Sequence, residues 1–117
     1  MDYLGFTETE RFVKRSEKIL GIEGVNDLQL YLCGYPDDGA IILASGGIRK
    51  MRWAAAGRGK RGGARIIYYF ANAAGRILLL DIYAKNEKAD LTSSEVNNLK
   101  DAVDYWLEEL KRLGELK

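Results

Sequence analysis

Arg65-Ile66-Ile67-Tyr68-Tyr69-Phe70-Ala71-Asn72-Ala73-Ala74-Gly75-Arg76-Ile77-Leu78-Leu79-Leu80-Asp81-Ile82-Tyr83 is the stretch that decides the fold. Two apolar and aromatic runs, Arg65–Ala71 and Arg76–Tyr83, flank Asn72-Ala73-Ala74-Gly75, a tight reversal. This spacing predicts a β-hairpin. Both runs are nearly continuous rather than alternating, as in strands covered on both faces. The hairpin is therefore expected at the centre of its sheet.

Immediately upstream, Ile48–Ala54 reads as a third strand. Alternation puts Ile48, Lys50 and Arg52 on one face and Arg49, Met51 and Trp53 on the other. Lys50 and Arg52 then project the same way, roughly 7 Å apart along the strand. Like charges that close repel, and a phosphate held between them would offset the repulsion. If this strand pairs with Arg65–Ala71, Arg65 approaches both cations. Between the two strands, Ala55–Gly63 is a loop carrying Gly57, Gly59, Gly62 and Gly63 with Arg58, Lys60 and Arg61. It is not a nucleotide-binding P-loop, because no Gly-Lys-Ser/Thr closes it and a strand follows. A glycine-rich cationic loop suits an irregular polyanion such as folded RNA.

The charge distribution supports that partner. The chain has 18 cations, 17 acids and no histidine. Eight cations and no acid lie between Gly39 and Leu80; the remainder holds all seventeen acids against ten cations, a net −7. Such segregation points to polyanion binding. The absence of histidine excludes Ser-His-Asp triads, Cys-His dyads and histidine-ligated metals. The single cysteine, Cys33, excludes an internal disulfide and is expected as a small buried apolar residue. Met-Asp-Tyr-Leu-Gly at the start has an acid where a secretion signal has cations, and no apolar run approaches about 18 residues. A cytoplasmic protein without a membrane segment is the expectation.

Before the sheet, Asp2–Phe6 can form a short strand. Thr7 or Thr9 then starts a helix, Thr7 with Glu10 having the capping-box spacing. Phe12, Val13, Ser16, Ile19 and Leu20 form its apolar face, and Gly21 ends it. A second helix begins near Gly24, places Val25, Leu28, Tyr31 and Leu32 on one side, and stops at Gly34 and Pro36. Pro36-Asp37-Asp38-Gly39 is a turn, and Ala40–Leu43 a short strand. After the hairpin, Leu91, Thr92, Glu95 and Val96 fit a capping box with a hydrophobic staple. The helix they open carries Val96, Leu99, Val103, Trp106, Leu110 and Leu113 in a stripe and closes at Gly114. With 117 residues the chain is expected to be one domain. The fold is α+β: a small twisted antiparallel sheet in β-α-α-β-β-β-α order, two N-terminal helices and one C-terminal helix packing on it.

Three segments carry a family resemblance: Gly46-Gly47-Ile48-Arg49-Lys50-Met51-Arg52, Gly57-Arg58-Gly59-Lys60-Arg61-Gly62-Gly63-Ala64-Arg65-Ile66-Ile67-Tyr68-Tyr69, and Ile82-Tyr83-Ala84-Lys85-Asn86-Glu87. Together they resemble the RelE/ParE superfamily of bacterial toxins, most closely its HigB-like RelE branch. The likeness covers most of the chain and is tightest from Ser45 to Leu91. It implies the toxin of a type II toxin–antitoxin pair: a metal-independent endoribonuclease that cuts mRNA in the ribosomal A site, with no cofactor. Implied partners are a cognate antitoxin that itself binds DNA, the ribosome with its mRNA and small-subunit rRNA, and operator DNA only through the antitoxin complex.

The Lys-x-Lys pair of RelE-like toxins falls on Lys50 and Arg52, the arginine opening the next strand on Arg65, and a basic residue after the last strand on Lys85. The functional tyrosine that some members carry near the C-terminus has no match; Leu91 and its neighbours stand there. Without metal or imidazole, cleavage uses the 2′-hydroxyl beside the scissile phosphate. Fixed cations stabilise the more anionic pentacoordinate transition state, the role expected of Arg52 and Arg65. Lys50, crowded by both arginines, is the candidate base, with Lys85 or Tyr83 as acid or orienting group and Glu87 as second choice of base. Arg49, Arg58, Lys60 and Arg61 are expected to contact RNA phosphates. The competing expectation is a ParE-like, non-catalytic inhibitor of DNA gyrase.

Overall fold

A computed structural model describes residues 4–54, 63–88 and 90–116. The chain runs β1 (Gly5–Glu8), α1 (Glu10–Ile19), α2 (Gly21–Gly34), β2 (Ala40–Ile41), β3 (Arg49–Trp53), β4 (Ala64–Ala71), β5 (Arg76–Ala84) and α3 (Ser93–Arg112). The strands form one five-stranded sheet in the order β1-β5-β4-β3-β2. The fold is α+β, and the hairpin β4–β5 sits at its centre as expected. Its turn is a single 3-10 turn, Asn72–Ala74, closed by Gly75 at φ 62°, the left-handed conformation that glycine adopts without a Cβ clash.

Side-chain alternation on β4 splits the interior into two cores. On one face Phe12, Leu20, Leu28 and Leu32 of α1, α2 and their junction pack on Met51, Ile66, Tyr68, Ile77, Leu79 and Ile82. On the other, Val103, Trp106 and Leu110 of α3 pack on Ile48, Ile67, Leu78, Leu80 and Tyr83. Tyr69 meets Trp106 edge-on, ring centroids 6.4 Å apart. The stripe on α3 is thus core packing, with Leu113 left exposed at its end. Thr92 and Glu95 form the expected capping box.

The hairpin register slips once. Ile67 pairs with Asp81 and Tyr68 with Leu79, so Leu80 is an extra residue on β5. This bulge changes the phase of the strand: Ile77 and Leu79 face α1 and α2, and so does Ile82. Asp81, opposite Ile67, accepts from Arg11 Nε at 2.9 Å and lies 3.5 Å from Arg15 Nε. Arg15 also donates to the Ile82 carbonyl at 2.6 Å and pairs with Glu87. These two arginines therefore satisfy a stretch of β5 edge that lies beyond the end of β1.

Several details differ from expectation. The sheet is mixed: β1 pairs in parallel with β5, Gly5 opposite Arg76 through Glu8 opposite Leu79. The first strand lies at Gly5–Glu8, and Thr7 falls inside it, so the Thr7–Glu10 box does not form. Thr9 is the N-cap, accepting from Phe12 N at 3.1 Å while donating to the Leu80 carbonyl at 2.7 Å. That second bond, available only at Thr9, ties the helix start to the sheet. The second helix begins at Gly21, whose φ of 72° turns the chain out of α1 without a linker. Gly24 lies inside it, at a position where a Cβ would come within 2.9 Å of Leu20 Cβ. β2 is only two residues long, since Ser45 closes a turn by accepting from Ile48 N and donating to Ile42 O. Cys33 and Val13 are less buried than expected: Cys33 is half-buried and Val13 exposed.

Candidate nucleic-acid site

The register of β3 on β4 pairs Lys50 with Ile67 and Arg52 with Arg65; β4 on β5 pairs Arg65 with Tyr83. Arg52, Arg65 and Tyr83 therefore form one rung across three adjacent strands. Ile48, Ile67 and Tyr83 belong to the core beneath α3. Lys50, Arg52 and Arg65, in phase with them, lie on that same face. The three cations are brought together because the chain alternates strictly from Ile48 into β3, so that Ile48, just before the strand, and Met51, within it, belong to opposite cores.

Their surroundings differ. Lys50 Nζ lies 3.0 Å from Asp90 Oδ1. The same carboxylate oxygen accepts from Leu91 N at 2.9 Å, which fixes it just ahead of α3. Among the described residues neither Arg52 nor Arg65 has a carboxylate partner; Arg65 makes one long contact, 3.4 Å, to the Ala64 carbonyl. Tyr83 is fully buried, and its hydroxyl has no hydrogen-bond partner among the described residues. Burial raises its pKa above the usual phenol value, the Asp90 charge adds to the rise, and Arg65 opposes it. Lys88 Nζ sits 5.1 Å from the centre of the Tyr83 ring and is held there by Glu95. An unpaired buried hydroxyl is costly, and this one belongs to the residue that completes the rung with Arg52 and Arg65.

The remaining candidates separate from this cluster. Lys85 follows β5 with its side chain exposed, its backbone N donating to Gly63 O at 3.1 Å beside the start of β4. Arg49 projects to the opposite face, where its guanidinium donates to the carbonyls of Asp37 and Gly39 at 3.0 and 2.7 Å. It holds the turn before β2, together with Tyr68, whose hydroxyl accepts from Gly39 N at 2.9 Å. Glu87 accepts from Ala84 N and pairs with Arg15; the amide bond leads in pulling its pKa below the usual carboxylate range. It belongs to the β5 edge. Arg58, Lys60 and Arg61 lie outside the described residues. Arg76, the eighth cation of the acid-free block, pairs with Glu115 at the far end of β5.

Beside Lys50, a groove of about 480 Å³ opens between the β2 strand with its following turn and the start of α3. Ile41, Leu43, Lys50, Asp90, Ser93 and Asn97 line it. Asp90 is a member of the site that the sequence pattern does not reveal. Nothing local marks it, because its partner Lys50 is forty positions away in sequence. Among the described residues no group of Cys, Asp and Glu could hold a metal ion, and no helix is long and apolar enough to cross a membrane.

The family model described as the RelE toxin of the RelE/RelB toxin–antitoxin system matches residues 38–116, more than half of the 117-residue chain. The match spans the whole cationic face, from the turn before β2 to the end of α3, on a sheet with the helical layers expected of a RelE-like fold. The chain belongs to the RelE toxin family, the toxin half of toxin–antitoxin systems, and so has a cognate antitoxin as its counterpart.

Proposed function

We propose that this protein is a ribosome-dependent endoribonuclease of the HigB-like branch that cleaves mRNA in the A site. The observation that carries the reading is the rung Arg52–Arg65–Tyr83 with Lys50 one step away: three cations on one face, two of them without carboxylate partners among the described residues, around a buried hydroxyl.

In this reading the scissile phosphate lies over Arg52 and Arg65. Guanidinium groups grip its non-bridging oxygens with a planar fork and stay charged throughout. As the 2′-oxygen attacks, negative charge grows on those oxygens, and fixed cations lower the barrier without reorganising. The Tyr83 hydroxyl donates to the same phosphate and gains the partner it lacks in the free protein. Lys85, at the rim, grips a neighbouring phosphate of the strand. Arg58, Lys60 and Arg61 contact ribosomal RNA, a role whose mark is sensitivity to salt. The ribosome supplies the ordered mRNA and holds the 2′-oxygen in line with the leaving group, a contribution of positioning.

The test is to add the purified protein to programmed ribosomes and map new 5′ ends on the mRNA. Cleavage confined to ribosome-bound message, and lost in Arg65→Ala, supports the reading. Intact mRNA accompanied by gyrase-dependent DNA breaks overturns it in favour of a ParE-like inhibitor.

A further inference from the structure

The chemistry above leaves one role open: the group that takes the proton from the 2′-hydroxyl. We infer that Asp90 is the general base, with Lys50 as its paired acid. The inference rests on the proposed nuclease reading and names a catalytic residue within it.

Geometry separates Asp90 from the other carboxylates. Asp81 is held by Arg11 and Arg15. Glu87 is engaged by Arg15 and Ala84 N. Glu95 is taken up by Lys88 and the helix cap. Asp90 instead contacts Lys50, in the groove beside the cationic face, and its side chain is 71% exposed, so a substrate can reach it. One of its oxygens is anchored by Leu91 N; the other has no contact among the described residues. As the ammonium partner of an ion pair, Lys50 has no lone pair to accept a proton, whereas Asp90 has several.

Arrival of the anionic phosphate draws Lys50 away from Asp90. The carboxylate is then left beside a phosphate, and like charge favours its protonation. Asp90 takes the 2′-hydroxyl proton, and the freed electron pair forms the 2′-oxygen–phosphorus bond. The bond from phosphorus to the 5′-oxygen breaks, and that oxygen takes a proton from Lys50. The products are a 2′,3′-cyclic phosphate and a 5′-hydroxyl. Transfer of the proton from Asp90 to Lys50 restores the ion pair, so each turnover is proton-neutral and needs no co-reactant.

The charged and titratable groups facing this pair are Arg52 on β3, Arg65 on β4, Tyr83 on β5, and Lys88 and Glu95 from the last segment and α3. Asp90 is held below the ordinary carboxylate range, chiefly by its hydrogen bond with Lys50. A base of this kind is already ionised throughout the neutral range.

The experiment measures kcat, KM and the pH profile of mRNA cleavage on programmed ribosomes for wild type, Asp90→Asn and Asp90→Glu. Asparagine keeps an acceptor for Leu91 N but loses the base. Its kcat should fall about 10²–10⁴-fold with KM within about twofold, and glutamate should restore part of the loss. The wild-type rate should be flat between about pH 6 and 8, while the residual Asp90→Asn rate rises with hydroxide. Three outcomes overturn the assignment while leaving the nuclease reading intact: an Asp90→Asn enzyme as fast as or faster than wild type, a glutamate variant no better than asparagine, or a wild-type rate climbing about tenfold per pH unit across that range. Wild-type protein that leaves the mRNA whole removes the nuclease reading itself.

Discussion

Replacing Tyr83 with phenylalanine should make the protein more stable and less active. The side chain is fully buried, and its hydroxyl has no partner among the described residues. Desolvating such a group without a hydrogen bond costs about 1–3 kcal/mol. Phenylalanine keeps the ring, its packing beneath α3 and the Lys88 ammonium 5.1 Å from the ring centre. Only the desolvation cost is removed, so unfolding free energy should rise by about 1–2 kcal/mol. For a domain of this size that is an increase in Tm on the order of 4–8 °C. Urea and thermal denaturation read the stability change; cleavage on programmed ribosomes reads the activity. Losing a neutral hydrogen bond of about 1 kcal/mol to the transition state lowers the rate roughly fivefold to tenfold. A Tyr83→Phe protein less stable than wild type by about 1 kcal/mol would refute the reasoning, because the hydroxyl must then be paired in the folded state. Increased stability with undiminished cleavage would place the hydroxyl outside the reaction.

Four further outcomes follow from the geometry. Arg65→Ala and Lys50→Met should each lower ribosome-bound mRNA cleavage by about 10²–10³-fold while leaving urea midpoints nearly unchanged; wild-type rates in either variant would remove that residue from the site. Asp81→Ala should cost about 2–3 kcal/mol in urea denaturation, because it leaves Arg11, Arg15 and Ile82 N without their shared carboxylate; a loss under about 0.5 kcal/mol would show the cluster to be dispensable. Gly39→Ala should destabilise by about 1–3 kcal/mol, since the new Cβ would sit 2.9 Å from the buried Tyr68 hydroxyl and 3.1 Å from Arg49 Cβ; an unchanged melting temperature would contradict that contact. Glu95, pulled down to about 2 chiefly by its hydrogen bond with Lys88, lies below its ordinary value of 4.5 when folded. The unfolded chain therefore takes up the proton first. The stabilisation is complete above about pH 4.5 and is lost as pH falls towards 2. Acid titration of Glu95→Gln followed by circular dichroism should show a shallower decline over that window than wild type.

The parts of the fold that could be read from the sequence are those decided by near neighbours. The central hairpin follows from two apolar runs and one glycine. The α3 cap follows from Thr92 and Glu95, three positions apart, and the shared face of Lys50 and Arg52 follows from strand alternation alone. What escaped is decided at a distance. Thr9 prevails over Thr7 as a cap because the Leu80 carbonyl lies within reach. A four-residue strand such as Gly5–Glu8 carries too little pattern to reveal that it runs parallel to β5. The bulge at Leu80 is invisible in the apolar run, and Asp81, an acid inside that run, finds two arginines of α1. Arg49 and Lys50 are adjacent in sequence and equally basic, yet one fastens a turn and the other faces the groove. Asp90 shows the same limit from the other side, because its meaning depends on Lys50.

The parallel pairing of β1 with β5 also governs when the molecule can come into being. As the chain emerges from the ribosome, Gly5–Glu8 leaves the exit tunnel early but must wait for Arg76–Ala84 before it has a neighbour. Loop closure over such a separation is slow relative to local structure. The helix that roofs the second core, and the carboxylate that meets Lys50, arrive later still. A nascent chain therefore remains unassembled for most of its own translation, and its sheet acquires its outer strand only when the polypeptide is nearly finished.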